Sequence, residues 1–205
     1  MEVLLMCFRM ITMRAFVLVF AVSVVLSSCG VMAPLFEAPA PKRNFTKEDL
    51  LIGQESIPSI WQPLKTLFPY GDPLATNESV AMFFGKIING EQRAYATQLI
   101  YRYDTKGGAQ WVFDHQYLPR PHLHLPSEWH FKSSYANESF FGCFEMAGNV
   151  GQSCEYAGRY EEFITVFRTQ MIPNEMTLTD LEKLAKAIDS RMAQYLSKNT
   201  PTPPQ

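Results

Sequence analysis

The sequence lacks the short motifs that most directly indicate catalysis or nucleic-acid binding. There is no G-x-S-x-G, no H-E-x-x-H, no P-loop and no G-x-G-x-x-G. The nearest approach to the first, at 151–155, lacks the final glycine and contains Cys154. Its 18 Lys and Arg residues are scattered along the chain and are outnumbered by 20 Asp and Glu residues. We therefore expect no nucleic-acid partner and favour a non-enzymatic role.

Long hydrophobic runs are also scarce, with one informative exception near the N-terminus. Twelve apolar or small residues, 15–26, follow the basic Arg14. A membrane-spanning helix needs about 20 such residues, whereas the core of a secretory signal needs about 7 to 15. The run ends in Leu26-Ser27-Ser28-Cys29, which resembles the signal of a bacterial lipoprotein. That resemblance implies cleavage before Cys29 and attachment of a diacylglycerol to its thiol.

The resemblance implies both an organisation and a location. Residues 1–28 are expected to be a signal peptide, for which Met13 is a candidate true start, and 29–45 a lipidated Pro- and Ala-rich tether. The protein is then exported and held by acyl chains (lipoprotein palmitate) on the cell membrane or outer membrane, facing outside the cytoplasm. A cleaved signal with an incidental cysteine, or an uncleaved N-terminal anchor, are the alternatives.

Only two of the four cysteines remain for the folded part, since Cys7 leaves with the signal and Cys29 carries the lipid. Cys143 and Cys154 form an even pair in an oxidising compartment, which predicts a disulfide bond. They flank a turn-rich stretch between two apparent strands, so cross-strand pairing is geometrically plausible. A redox-active pair is the alternative, although no C-x-x-C is present.

The pattern of residues 46–198 predicts one globular α+β domain, followed by a disordered tail at 199–205. The expected order is α-β-β-α-β-β-β-α, a mostly antiparallel sheet backed by helices. Alternating residues on both sides of Asn89-Gly90 predict a hairpin with a type I′ turn. Asp104 or Thr105 is expected to cap a helix that ends before Pro119.

Further patterns concern the segment before the hairpin, the last turn and the C-terminal helix. Prolines at 58 and 63 argue against a long regular element before the hairpin. A turn is expected at Gly158-Arg159, and Glu161 and Glu162 are then expected to point to opposite faces of the last strand. A capping box at 177–180 opens an amphipathic C-terminal helix whose apolar stripe should cover one face of the sheet.

The histidines are the one cluster that suggests a metal. All four lie between His115 and His130, and His122 and His124 share one side of an extended segment. With His130 as a third ligand they could bind zinc or copper, which would make the protein a metal-binding protein or a metal-dependent hydrolase. Surface or capping histidines without a metal are the interpretation we favour, so no cofactor is expected and the metal site is the alternative.

Four tyrosines, Tyr101, Tyr103, Tyr156 and Tyr160, lie on predicted strands. If one face of the sheet is open, they form a binding surface for a hydrophobic or peptide ligand. If a helix covers that face, they belong to the core, which is the interpretation we favour. The sequence as a whole predicts a membrane-anchored, extracytoplasmic domain that binds a small ligand or an envelope protein.

Overall fold

The computed structural model describes residues 37–67, 79–118, 123–146 and 151–197. The described residues from Pro39 onward form one compact unit. The predicted signal peptide, Cys29 and the predicted C-terminal tail lie outside the described residues. Within those residues, no helix is both long enough and apolar enough to cross a membrane.

A six-stranded antiparallel sheet is the centre of the fold, so the predicted α+β class is confirmed. Its strands lie in the spatial order β1-β2-β3-β6-β5-β4. They are β1 (Gln62–Leu67), β2 (Ser79–Ile88), β3 (Glu91–Arg102), β4 (Glu138–Glu145), β5 (Gln152–Tyr160) and β6 (Phe163–Met171). Two α-helices follow β3 and β6 respectively, α1 (Lys106–Val112) and α2 (Leu178–Ser197), and short 3-10 helices span Glu48–Leu50 and Gln54–Ser56.

Helices cover both faces of the sheet. Successive side chains of a strand point to opposite faces, so each strand contributes to both cores. On β6, Phe163 and Phe167 belong to the larger core, together with the apolar stripe of α2. Ile164 and Val166 belong to a smaller core on the other face, formed with α1. The predicted stripe of α2 is buried at Leu181, Leu184, Ala185, Ile188 and Met192.

Local signals located several elements correctly. The β2–β3 hairpin turns at Asn89 and Gly90, both of which have positive φ, as a type I′ turn requires. The Thr105 hydroxyl accepts the Gly108 amide at 2.9 Å and caps α1, which continues as a single π-helical turn over Phe113–Tyr117. At α2, the Thr177 hydroxyl accepts the Asp180 amide at 3.2 Å and the Asp180 carboxylate accepts the Thr177 amide at 3.2 Å, which confirms the capping box.

The predicted disulfide is present in the structure. Cys143 on β4 and Cys154 on β5 lie directly opposite each other, with their Cα atoms 4.0 Å apart and their sulfurs joined. Both residues are fully buried in the larger core. The four residues at the tip of this hairpin, 147–150, lie outside the described residues.

The predicted order of elements lacked one strand, and the predicted position of the last turn was wrong. The missing strand is β1, which is only six residues long and tolerates Pro63 because it is an edge strand whose register slips between Pro63 and Lys65. The turn between the last two strands lies at Glu161-Glu162, since Tyr160 pairs with Phe163 and Gly158-Arg159 continue β5. Glu161 adopts a φ of 55° to make that turn.

The boundary between tether and domain also differs from the expectation, because residues 39–45 are packed against the domain. The guanidinium of Arg43 is almost fully buried. Its Nε donates to Glu162 Oε1 at 2.7 Å, and its Nη2 donates to Glu162 Oε2 at 2.7 Å and Glu161 Oε2 at 2.6 Å. The two glutamates therefore share one arginine instead of pointing to opposite faces. Phe45 extends this contact by packing against the Phe163 ring, with centroids 5.9 Å apart.

Candidate functional site

The four predicted tyrosines are all buried and form no open surface. Tyr101 and Tyr103 lie in the smaller core beneath α1, beside Val112. Tyr156 and Tyr160 lie in the larger core beneath α2. The interpretation of these residues as an exposed ligand platform is therefore corrected, and the alternative in which helices cover them is the one observed.

Tyr156 and Tyr160 nevertheless take part in a buried polar network that ends on α2. The Tyr160 hydroxyl donates to the Asp189 carboxylate at 2.8 Å, and the Tyr156 hydroxyl lies 3.0 Å from that of Tyr160. Because Tyr160 gives its only proton to Asp189, Tyr156 must be the donor to Tyr160. The Ser133 hydroxyl donates to the same carboxylate, so Asp189 is satisfied from the sheet and from the segment before β4.

The protonation of the two tyrosines follows from their surroundings. Burial, followed by the neighbouring Tyr156 hydroxyl and the Asp189 carboxylate, raises the pKa of Tyr160 far above its ordinary value of 10.0. Burial also raises the pKa of Tyr156. Both phenols therefore remain protonated around neutral pH, so that Tyr160 donates to Asp189 and Tyr156 donates to Tyr160.

A second carboxylate of α2, that of Glu182, binds the residues just before Ser133. Glu182 accepts the backbone amides of His130 and Phe131, the latter at 3.0 Å. The His130 amide is the main reason why the pKa of Glu182 lies below its usual value. Glu182 and Asp189 are seven residues apart, two turns along one helix face, so together they fasten residues 130–134 to α2.

A shallow pocket of about 530 Å³ lies between this segment and α2. It is lined by the carboxylates of Glu182 and Asp189 and by the positively charged Lys132 and Lys186. The side chain of Tyr135 also lines it. Tyr135 is 61% exposed. Oε1 of Glu182 and both oxygens of Asp189 accept internal donors, and no described carboxylate lies within ion-pair distance of either lysine, although the charge of Lys186 contributes to lowering the pKa of Glu182.

A second shallow depression lies at the other end of the sheet, near the β2–β3 turn. Its lining includes the exposed side chains of Ile60 and Ile87, and Lys86. Lys86 pairs with Glu175 at 2.5 Å, and this ion pair lowers the pKa of Glu175. The charge of Lys86 at this depression is therefore already neutralised by Glu175.

The predicted metal ligands are only partly covered by the structure. His122 lies outside the described residues. His124 forms an isolated bridge with Cys143, in which the two backbones exchange hydrogen bonds of 2.8 Å, and the His130 amide binds Glu182. Among the described residues, no three His, Cys, Asp or Glu side chains come together as a metal site would require. The three-histidine site stays a prediction.

Sequence reasoning missed the residues that build the pocket. Asp189 belongs to the apolar stripe of α2 by position, and its polar character within that stripe was the available signal. A buried carboxylate demands donors, which implies that another segment packs against α2. The residues that supply them, around Ser133, lie in a stretch without periodicity, so no pattern indicated where that segment would lie.

Comparison of the chain with protein-family models, with curated proteins and with solved structures found no match.

Proposed function

We propose that this protein is a lipid-anchored, extracytoplasmic binding domain, with the acyl chains on Cys29. The observation that carries the anchor is the sequence Leu26-Ser27-Ser28-Cys29 directly behind a short apolar run. The Cys143–Cys154 disulfide supports it, because such bonds persist in oxidising compartments outside the cytoplasm. Two or three acyl chains would hold the protein stably at the membrane, whereas one chain holds it only marginally.

Incorporation of a labelled fatty acid in a bacterial host tests the anchor. We expect label on the wild-type protein and none on Cys29→Ser. A matched control is Ser28→Ala, which keeps a small residue before the cysteine and should still be labelled. Retention of label by Cys29→Ser would remove Cys29 as the attachment site.

The pocket between residues 130–135 and α2 is the ligand site we propose. Its floor is fixed by Asp189 and Glu182, whose hydrogen bonds hold the backbone of the opposite wall. Its positive charges are those of Lys132 and Lys186, and Tyr135 offers an exposed aromatic ring. This combination suits a ligand that carries an anionic group beside an apolar one, such as an acidic peptide segment of an envelope protein or a small organic acid.

Calorimetric titration with an acidic peptide and a neutral peptide of equal length tests this site. We expect the acidic peptide alone to bind, and Lys132→Gln/Lys186→Gln to weaken that binding at least tenfold. Lys183→Gln is the matched control, because Lys183 lies on the same helix but pairs with Asp180 at 3.2 Å outside the pocket. Equal binding of both peptides, or equal loss in the control, would refute the assignment.

A further inference from the structure

We propose that the outer face of α1 lies against the lipid surface to which the protein is anchored. This proposal rests on the lipid anchor proposed above and adds an orientation to it. It is carried by two independent observations, the place where the N-terminal segment joins the domain and the exposed apolar side chains of the helical segment that begins there.

The N-terminal segment joins the domain directly beside the start of α1. The Ala40 amide donates to the Asp104 carbonyl at 2.6 Å, and Asp104 immediately precedes Thr105, the cap of α1. The next residue, Pro41, is also bound, because Arg102 Nη2 donates to its carbonyl at 2.9 Å. Residues 40 and 41 are therefore fixed at the α1 end of β3.

The length of chain before this point limits how far the domain can move from the membrane. Pro39 lies ten residues after Cys29, and a fully extended chain of that length spans at most about 33 to 36 Å. The β2–β3 turn lies at the opposite end of β3, about 35 Å away along its 12 residues. The α1 end of the sheet therefore stays within tether length of the lipid, whereas the β2–β3 turn can lie about twice as far away.

The solvent side of α1 carries large apolar side chains at this end. Trp111 is 42% exposed and Leu118 is 47% exposed, while Ala109 and Phe113 on the opposite side are fully buried. Trp111 and His115, four residues apart, are neighbours on this side, and Leu118 follows the π-helical turn that continues α1. The His115 ring stacks on the Trp111 indole, with centroids 4.4 Å apart, and its Nδ1 lies 2.7 Å from the Trp111 carbonyl.

This chemistry suits the boundary between lipid headgroups and acyl chains. Tryptophan is enriched at that depth because its ring is apolar while its indole N–H can hydrogen-bond to headgroups or water. The contact would be weak for a free protein. Once the acyl chains hold the domain within tether length, the same contact becomes intramolecular and a few apolar side chains suffice to orient it.

The test uses the full-length lipidated protein, reconstituted in vesicles of phosphatidylethanolamine and phosphatidylglycerol that contain a brominated lipid. Bromine quenches only tryptophans that lie at the acyl-chain boundary. We expect part of the tryptophan emission to be lost, and Trp111→Phe to abolish that quenched component. Leu118→Ala should reduce it, whereas Ile87→Ala, an equally exposed residue beside the distal β2–β3 turn, should leave it unchanged.

The outcomes separate this inference from the anchor itself. Mass spectrometry of each preparation reports whether Cys29 is acylated. An acylated protein whose quenching is the same with Trp111 and with Phe at that position overturns the orientation and leaves the anchor intact. Absence of acylation overturns both. Thermal unfolding of the Trp111→Phe protein at the wild-type temperature shows that the substitution has not disturbed the fold.

Discussion

The Arg43–Glu162 ion pair gives the most direct test of where the domain begins. Arg43 lies in the stretch predicted to be a free tether, yet its side chain is only 1% exposed and that of Glu162 is 0% exposed. Replacing Arg43 by Met keeps much of the side-chain volume but leaves the Glu162 carboxylate buried without its main partner. If residues 39–45 were a loose tether, this substitution would have no effect on stability.

The expected cost follows from the number and kind of bonds lost. Removal of one partner from a buried ion pair typically costs about 3 to 5 kcal/mol. Arg102 lies 4.0 Å from Glu162 and partly compensates its charge, so we expect the lower end, about 3 kcal/mol. With a urea slope of about 2 kcal/mol/M, the unfolding midpoint should fall by about 1.5 M.

Urea unfolding followed by circular dichroism, with the disulfide intact, measures this shift. Lys42→Met is the matched control, since Lys42 is exposed and its replacement should stay within about 0.5 kcal/mol. Arg43→Met/Glu162→Gln should recover part of the loss, because no buried charge is then unpaired. A change below about 1 kcal/mol in Arg43→Met would refute the claim that this segment belongs to the domain.

Three further results are expected. Cys143→Ser/Cys154→Ser should lower the free energy of unfolding by about 3 kcal/mol in the chain-entropy model, because the bond closes a short loop with a sequence separation of 11; an unchanged urea midpoint would contradict this. Gly158→Ala should cost about 1 to 3 kcal/mol, since the added Cβ would lie 2.6 Å from the Tyr160 ring, and thermal unfolding measures it. Burial acts to raise the pKa of Glu161, but hydrogen bonds from Arg43 and Lys106 outweigh it and hold that pKa below 4.5. A lowered folded-state pKa stabilises the fold above the unfolded-state value, so this contribution should decline as pH falls below about 4.5, and the decline should be smaller in Glu161→Gln.

The correct predictions from sequence are those in which a few neighbouring residues carry the whole signal. Asn89-Gly90 specifies its turn because both residues tolerate positive φ, and Thr177 with Asp180 specifies a helix start because their side chains satisfy local backbone donors. The Cys143–Cys154 bond belongs to the same class, since the two cysteines flank one hairpin.

The wrong or missing predictions depend on contacts between distant parts of the chain. Glu161 is an unusual residue for a positive φ, a conformation that costs about 1 to 2 kcal/mol for most L-residues, and Arg43, 118 residues earlier, holds its side chain. Asp189 depends on Ser133, 56 residues earlier, in a stretch with no periodic pattern. A polar Asp189 in an apolar stripe indicates that donors are needed, but nothing in the sequence around either residue identifies its partner.

The two outer strands of the sheet, β1 and β4, bear on whether copies of the chain can pair edge to edge. An exposed strand edge is a template on which a second chain can add. On β1, Pro63 has no N–H to donate and the pairing with β2 slips beside it, and on β4 the His124 bridge already occupies Cys143. Both borders of the sheet therefore resist edge-to-edge aggregation between neighbouring copies.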